Sequence, residues 1–448
     1  MHVSSPPEYL KTFREIGAER VVRAIATTGA DSKLEYPHWD KLRHLEPPGD
    51  LSREEWWMAL KLSRAAGSIR LPFDDTSGNC FTYSSPSSVQ RLLHFVDQHT
   101  SGEIAMAEAV TTDAQARRHY LVNSVMEEAI RSSQLEGATT SRRAAKDMLR
   151  SGRAPRDRSE LMILNNYRAL EFMRDGMGDQ LTPELVMTLQ RILTEGTLDD
   201  PTAAGRLQTP DEERVVVLDG TTGETIHVPP PASDLPSRLD AMCVFANAPS
   251  DDADPFIHPV VRAIVLHFWL AYDHPFLDGN GRTARALFYW YMRTRGYWLV
   301  EYLSISKIFR EAPAKYSRAF LLTETDAGDL TYFLLHHLHV IRRAIDGLQR
   351  YLDRKVREVR EVERFMRDAG DLNHRQLALL SDAVRHPDNV YTHVSHASSH
   401  SVTGETARAD LNGLVERGLL VRAKQGRQHV YTAVADLPSA LQPSAIST

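Results

Sequence analysis

The stretch His274–Arg285, HPFLDGNGRTAR, decides how the rest of the chain is read. It follows a nearly unbroken apolar run, VVRAIVLHFWLAYD, and crowds a histidine, an aspartate, a Gly-Asn-Gly turn and two arginines together. A buried helix that ends in such a cluster is expected to hold an anionic ligand. Gly279 and Gly281 permit backbone conformations closed to other residues, and around Asn280 they can turn a nest of N–H groups toward an anion. A helix beginning near Gly281 adds the positive end of its dipole at the same place. Arg282 and Arg285 fall three residues apart on that helix, so they are expected to project from one face toward one ligand. Each offers phosphate a planar fork of donors. The set reads as a polyphosphate site. Asp278 supplies the hard oxygen that a Mg²⁺ bridging phosphates takes. His274, with an ordinary pKa near neutrality, can accept a proton from an incoming hydroxyl. His258 and His267 lack the i, i+4 spacing of helical zinc sites and are expected to serve packing.

Bulk properties narrow the class. A chain of 448 residues suggests two to four domains. Its 42% hydrophobic and 25% charged residues suit a soluble globular protein, and the net charge of -6 argues against general polyanion binding. Any nucleic-acid contact must come from a local basic surface. Cys80 and Cys243 are far apart and carry no metal-like spacing, which fits a reducing cytoplasm. The N-terminus has neither the basic start nor the apolar run of a signal peptide, and no apolar run is clean enough to span a bilayer. The expectation is a cytoplasmic protein with no membrane partner.

Three regions separate along the chain. Residues 1–105 form an accessory region whose Trp39, Trp56 and Trp57 are expected to pack a small core. Residues 106–350 are helical. In LVNSVMEEAIRSSQ, Val122, Val125, Met126, Ala129 and Ile130 recur at helical spacing. Thr182-Pro183-Glu184 reads as N-cap, first-turn proline and early acid, and His258-Pro259 opens the helix that leads into the quoted motif. Between them RVVVLDGTTGETIHV reads as a hairpin of two short strands. Residues 351–448 hold a charged linker helix and then LNHRQLALLSDAV, with apolar Leu372, Leu377 and Leu380. In SVTGETARADLNGLVERGLLVRAKQGRQHVYTAV, Ala407, Leu411, Leu414 and Val415 mark a buried helix face. Gly418 reads as a C-cap, and a hairpin turns at Gly426. Helix, helix and hairpin give the order of a winged helix-turn-helix.

HPFLDGNGRTAR resembles, without departure, the signature of the Fic family (filamentation induced by cyclic AMP), HPFx[DE]GNGRxxR. The resemblance covers roughly residues 106–350 and implies a mainly α fold, a Fic-type helical core with a β-hairpin flap. It implies that the loop binds Mg-ATP and that AMP passes to a Ser, Thr or Tyr hydroxyl of a target protein. By the same resemblance His274 is the general base and Asp278 the Mg²⁺ ligand. Gly279, Asn280 and Gly281 form the anion hole, Arg282 contacts the phosphates and Arg285 meets the γ-phosphate. SSQLEG, Ser132–Gly137, is similar to the family's inhibitory motif [ST]xxxE[GN], on a helix expected near 121–137. Its Ser132, Glu136 and Gly137 imply autoinhibition: a glutamate that reaches Arg285 neutralises the charge meant for the γ-phosphate. The hairpin resembles the flap that pins a target segment by strand addition. The family commonly carries an arginine shortly after a glycine ahead of the flap. Here GRLQTP has Arg206 and then Gln208, which bears on target docking.

Alternatives stay open at this point. They are removal of AMP with Glu136 positioning water, transfer of a different moiety, and a DNA-binding regulator that senses ATP. In the C-terminal module a recognition helix is expected near 404–417. Thr406 and Arg408 would lie on its polar face, with Arg422, Lys424 and Arg427 in the wing placed for phosphate contact. Glu405, Asp410 and Glu416 dilute that charge, so DNA, a docking protein and a second copy of the chain are all candidate partners.

Overall fold

The computed structural model describes residues 3–30, 35–100, 114–218, 223, 225–249, 255–368, 372–385, 389–425, 428–435 and 437–441. They group into two compact units, Met1–Ile104 with Leu121–Asp346, and Ala105–Tyr120 with Gly347–Thr448. No helix among the described residues is long and apolar enough to cross a membrane.

The first unit opens with α1 (Tyr9–Glu15), α2 (Ala18–Ala30), α3 (Trp39–Leu42), α4 (Arg53–Ala65), the antiparallel strands β1 (Ser68–Asp74) and β2 (Cys80–Ser84), and α5 (Ser87–Thr100). Ser52 starts α4 with a capping box closed by Glu55. Trp56 and Trp57 are buried there, and Trp39 packs on them, as the aromatic content of this region led one to expect.

The helical core follows as α6 (Ala114–Leu135), α7 (Arg142–Ser151), α8 (Arg158–Asp175), α9 (Pro183–Thr194), the antiparallel pair β3 (Val217–Leu218) and β4 (Thr225–His227), and α10 (Leu235–Asn247). Then come α11 (Pro259–Asp273), α12 (Asn280–Thr294), α13 (Ile305–Glu311), α14 (Pro313–Thr325) and α15 (Thr331–Asp368). Thr182 caps α9, its hydroxyl accepting from Leu185 N, and Pro183 occupies the first turn. His258 caps α11 through Nδ1. Because α11 is apolar on every side it can only be an interior helix, and twelve of α12's residues are buried too. This buried pair, joined by residues 274–279, is the frame of the site.

In the second unit α16 (His374–Arg385), β5 (Val390–Tyr391), α17 (His393–His400), α18 (Gly404–Glu416), β6 (Leu420–Gln425), β7 (Gln428–Ala433) and α19 (Leu437–Ala440) follow one another. The sheet order is β5-β7-β6, antiparallel throughout. Ala407, Leu411 and Leu414 are fully buried and Val415 partly so, and Gly418 takes φ 71° just beyond α18. The His- and Ser-rich stretch before α18 carries no apolar period, yet it forms β5 and α17. Thr392 caps α17 with a box closed by Ser395, and that local hydrogen bonding starts a helix that the hydrophobic pattern does not announce.

Candidate functional site

α11 stops where its polar tail begins. His274 is its C-cap at φ 46° and ψ 52°, a left-handed conformation, and its N–H closes on the Leu270 carbonyl. The imidazole is half-buried. Nδ1 faces the Ala271 carbonyl at 3.4 Å, so the tautomer protonated on Nδ1 leaves the Nε2 lone pair available. Burial, chiefly, pushes the pKa of this ring down to about 4. At pH 7 it is therefore a neutral base.

The loop that follows is stapled from within. Asn280 Oδ1 accepts from Phe276 N at 2.9 Å and Nδ2 donates to Phe276 O at 2.8 Å. That amide is engaged, so what Asn280 offers an anion is its backbone N–H. Gly279 caps α12 at φ 86°, where a side chain would be strained. Gly281 is different. It is ordinary helix, and a Cβ there would collide with Glu136 Oε1 and approach Arg285 Nη1 to 3.1 Å. The expectation that both glycines serve special backbone angles is corrected: Gly281 serves close approach to the helix start. The first-turn amides of α12, those of Asn280, Gly281 and Arg282, have no partner within their helix.

The two arginines diverge rather than share one target, a second correction. Arg282 turns toward α9, donating through Nη1 to Leu193 O at 2.9 Å and through Nη2 to Asp278 Oδ1 at 3.2 Å. Arg285 turns toward α6, donating through Nε to Ser132 Oγ at 3.0 Å and through Nη2 to Glu136 Oε1 at 2.9 Å. Each keeps one buried N–H, Arg282 Nε and Arg285 Nη1, that finds no partner among the described residues. A buried donor left unmatched costs about 1–3 kcal/mol, and phosphate oxygens would satisfy both. The site thus suits a polyphosphate. Asp278, paired with Arg282, keeps its side chain 38% exposed, so its carboxylate is within reach of a ligand. No group of three or more His, Cys, Asp or Glu among the described residues could hold a metal by itself. A Mg²⁺ here fits only as an ion shared between Asp278 and phosphates.

Ser132 and Glu136 come together on Arg285, with Gly137 following directly at the end of α6. Gly137 takes φ 97° as α6 ends, and Glu136 then reaches across the start of α12. Its carboxylate is the anion that meets both that electropositive end and Arg285. Sequence reasoning missed what holds α6 there. Ser124, Glu128 and Ser132 are buried at intervals of four residues, a polar stripe beside the apolar one. Glu128 Oε2 accepts from Ser304 Oγ at 2.8 Å and from Ser306 N at 3.2 Å, and Oε1 takes the Ser306 hydroxyl. One turn and a half later Gln134 Oε1 accepts from Arg310 Nε at 3.0 Å. Both contacts lead to α13 and its N-cap.

Gln190 was missed as well. It is fully buried, donating to Asp278 O at 2.9 Å and accepting from Gly205 N at 2.6 Å. A glutamine on the same face as Val186, Leu189 and Leu193 was the available signal. His258 and His267 pack as expected, His258 against Asp97 at 3.0 Å and His267 against Tyr316 Oη at 2.8 Å. At Gln208, where the flap region departs from the family pattern, Oε1 takes an N–H of Arg214.

In the second unit Arg408, Arg422 and Lys424 are exposed and Thr406 is partly exposed, while Arg427 lies outside the described residues. Asp410 needs correction as a charge that dilutes a basic surface. It is 5% exposed and internal, bonded to Arg375 at 2.7 Å, Asn373 at 2.7 Å and His396 at 3.2 Å, so it pins three helices together.

With this geometry in hand the comparisons are specific. Residues 180–292, which include the whole of HPFLDGNGRTAR, match the Fic/DOC family. A protein adenylyltransferase Fic from Nematostella vectensis is 45% identical over 62 residues, 14% of each chain. Its counterpart from Drosophila grimshawi is 37% identical over 71 residues, 16% of this chain and 14% of that one. This chain thus spans about one seventh of the curated relatives it matches. A solved Fic family protein from Desulfovibrio desulfuricans G20 superposes at a TM-score of 0.52 with 17% identity, over 78% of this chain and 97% of that one, which supports the mainly helical Fic fold.

Proposed function

We propose that the chain transfers AMP from Mg-ATP to a Ser, Thr or Tyr hydroxyl of a target protein, and that Glu136 restrains it. One observation carries this reading: a neutral, half-buried imidazole at His274 stands next to a helix start and an arginine that together hold an anion. The names of the curated relatives support it. In the reaction, His274 Nε2 takes the acceptor's proton as its oxygen bonds to the α-phosphorus, and the bond to the pyrophosphate leaving group breaks. Arg285 and the α12 amides offset the phosphate charge throughout. When bound, Mg²⁺ on Asp278 would neutralise further charge on the phosphates. The test supplies ATP labelled in the α- or γ-phosphate to host lysate with Glu136→Gly protein. Protein-bound α-label without γ-label supports transfer of AMP. Protein-bound γ-label points to phosphorylation, and release of label from already modified protein points to AMP removal. The free cysteines Cys80 and Cys243 support a reducing, cytoplasmic setting.

Glu128 gives a prediction of its own. Hydrogen bonds to a charged group contribute about 1.5–3 kcal/mol each. Freeing α6 from α13 by Glu128→Ala is expected to raise basal transfer about tenfold and to add nothing when Glu136 is already glycine. Initial rates of the single and double variants check it. An equal fall in both backgrounds would assign Glu128 to folding alone.

For the second unit we propose a winged helix-turn-helix that contacts duplex DNA through Thr406 and Arg408 on α18 and Arg422 and Lys424 on β6. Arg422 and Lys424 alternate at strand spacing, which puts both on one face. Arg422→Glu and Lys424→Glu are each expected to flatten the slope of log affinity against log salt by about one. A slope that neither change alters would leave the wing as a protein-docking surface.

A further inference from the structure

Both limbs of the β3–β4 hairpin are fastened to one short piece of backbone. Ahead of β3, Arg214 Nη2 donates to the carbonyls of Asp273 at 2.7 Å and His274 at 3.2 Å. At the end of β4, His227 Nε2 lies 2.7 Å from the Tyr272 carbonyl. Three consecutive carbonyls at the end of α11 are thus engaged by two side chains of the hairpin. Such carbonyls have no partner within their helix, and the dipole favours cations beside them. His274, in its left-handed turn, sits on this fastened segment.

The second nitrogen of His227 settles its charge. Nδ1 lies 2.9 Å from Glu324 Oε2 on α14. A carbonyl and a carboxylate can only accept. Neutral imidazole has one N–H and one lone pair, so it would satisfy one neighbour and turn a lone pair on the other. The doubly protonated ring satisfies both. The charged and titratable groups facing it are Glu324 from α14, Tyr272, Asp273 and His274 from α11, and Arg214 from the hairpin. Asp273 is itself paired with Arg238 of α10 at 2.7 Å. The ring stacks obliquely on Tyr272 with centroids 4.7 Å apart, and its side chain is 9% exposed.

We infer that His227 is a positioning residue that works as an imidazolium: it closes the hairpin onto the end of α11, fixes the turn that carries His274, and keeps a second proton off that ring. Target docking on the hairpin is thereby coupled to the base. The catalytic consequence rests on the transfer reading above; the charge state does not. Burial opposes the charge on His227 but the Glu324 carboxylate overrides it, so the pKa is raised. The charged form therefore persists below that raised pKa and is lost as pH climbs through it, which predicts an alkaline limb in activity.

Two measurements on the full chain test this. Ring nitrogen NMR of ¹⁵N-histidine protein, with the signal assigned by its loss in His227→Gln, is expected to show an imidazolium at pH 7. A neutral ring at pH 7 overturns the inference whatever the protein's activity. In the Glu136→Gly background, His227→Gln is expected to lower kcat about 10- to 100-fold with KM for ATP nearly unchanged and to remove the alkaline limb. An unchanged kcat, a loss shared equally with KM, or a limb that persists overturns it. Glu136→Gly protein that transfers nothing at any pH would instead remove the transfer reading, and the NMR result would still decide the charge of His227.

Discussion

His274→Ala, made in the Glu136→Gly background, is expected to lower transfer by about 10²- to 10⁴-fold, the range that a positioned general base contributes. The expectation comes from position and protonation together. The left-handed turn ends α11 at His274, Nδ1 is turned to the Ala271 carbonyl, and Nε2 keeps its lone pair. Burial holds the ring's pKa at about 4, so the base is available throughout the physiological range and is lost only as pH falls toward that value. On the proposed reading, nucleotide binding rests on other groups, namely Arg282, Arg285 and the α12 amides. Calorimetry should therefore find ATP affinity within about threefold of the parent, since uniform binding is untouched. Single-turnover kinetics and calorimetry on the same preparation separate these effects. A variant that lost both equally would make His274 a structural residue.

Glu136→Gly carries the other large effect, in the opposite direction. Arg285 is almost wholly buried, and two of its donors are committed to Ser132 and Glu136. Removing the carboxylate frees one N–H of Nη2, which otherwise still donates to Ser132 O at 3.2 Å, and uncovers the start of α12, so that a nucleotide can supply the missing anion. With about 1.5–3 kcal/mol for a charge-assisted hydrogen bond, the change corresponds to roughly 10- to 150-fold in favour of productive binding. Because the freed guanidinium is the one expected to meet the last phosphate, the gain should be larger for ATP than for ADP. Rates with each nucleotide check this. An equal gain for both would detach Glu136 from the γ-phosphate.

How much of this was legible in the sequence varies by residue, for physical reasons. The placement of His274–Arg285 on one loop and one helix start was legible because these residues are close in sequence and their turn and cap signals are local. The caps at Thr182 and His258 were legible on the same ground. The reason given for Gly281 was wrong, since its backbone is ordinary helix and the group it makes room for is Glu136, distant in sequence. Arg282 and Arg285 share a helix face, yet which neighbour each guanidinium meets depends on α9 and α6, and spacing carries no such information. Glu128, Gln190, Arg214 and His227 went unread because each acts through backbone groups brought near only by folding. For Glu128 and Gln190 the trace was faint, a polar residue inside an apolar helix face at i, i+4 from another. β5 and α17 escaped because side chain-to-backbone hydrogen bonds, not burial, define their ends.

The most direct test of the central claim compares three chains, the parent, Glu136→Gly and Glu136→Gly/His274→Ala, given α-phosphate-labelled ATP with Mg²⁺ in host lysate. The account predicts strong protein-bound label from Glu136→Gly, weak label from the parent and none above background from the double variant. A Glu136→Gly chain that binds ATP yet labels no protein would contradict it.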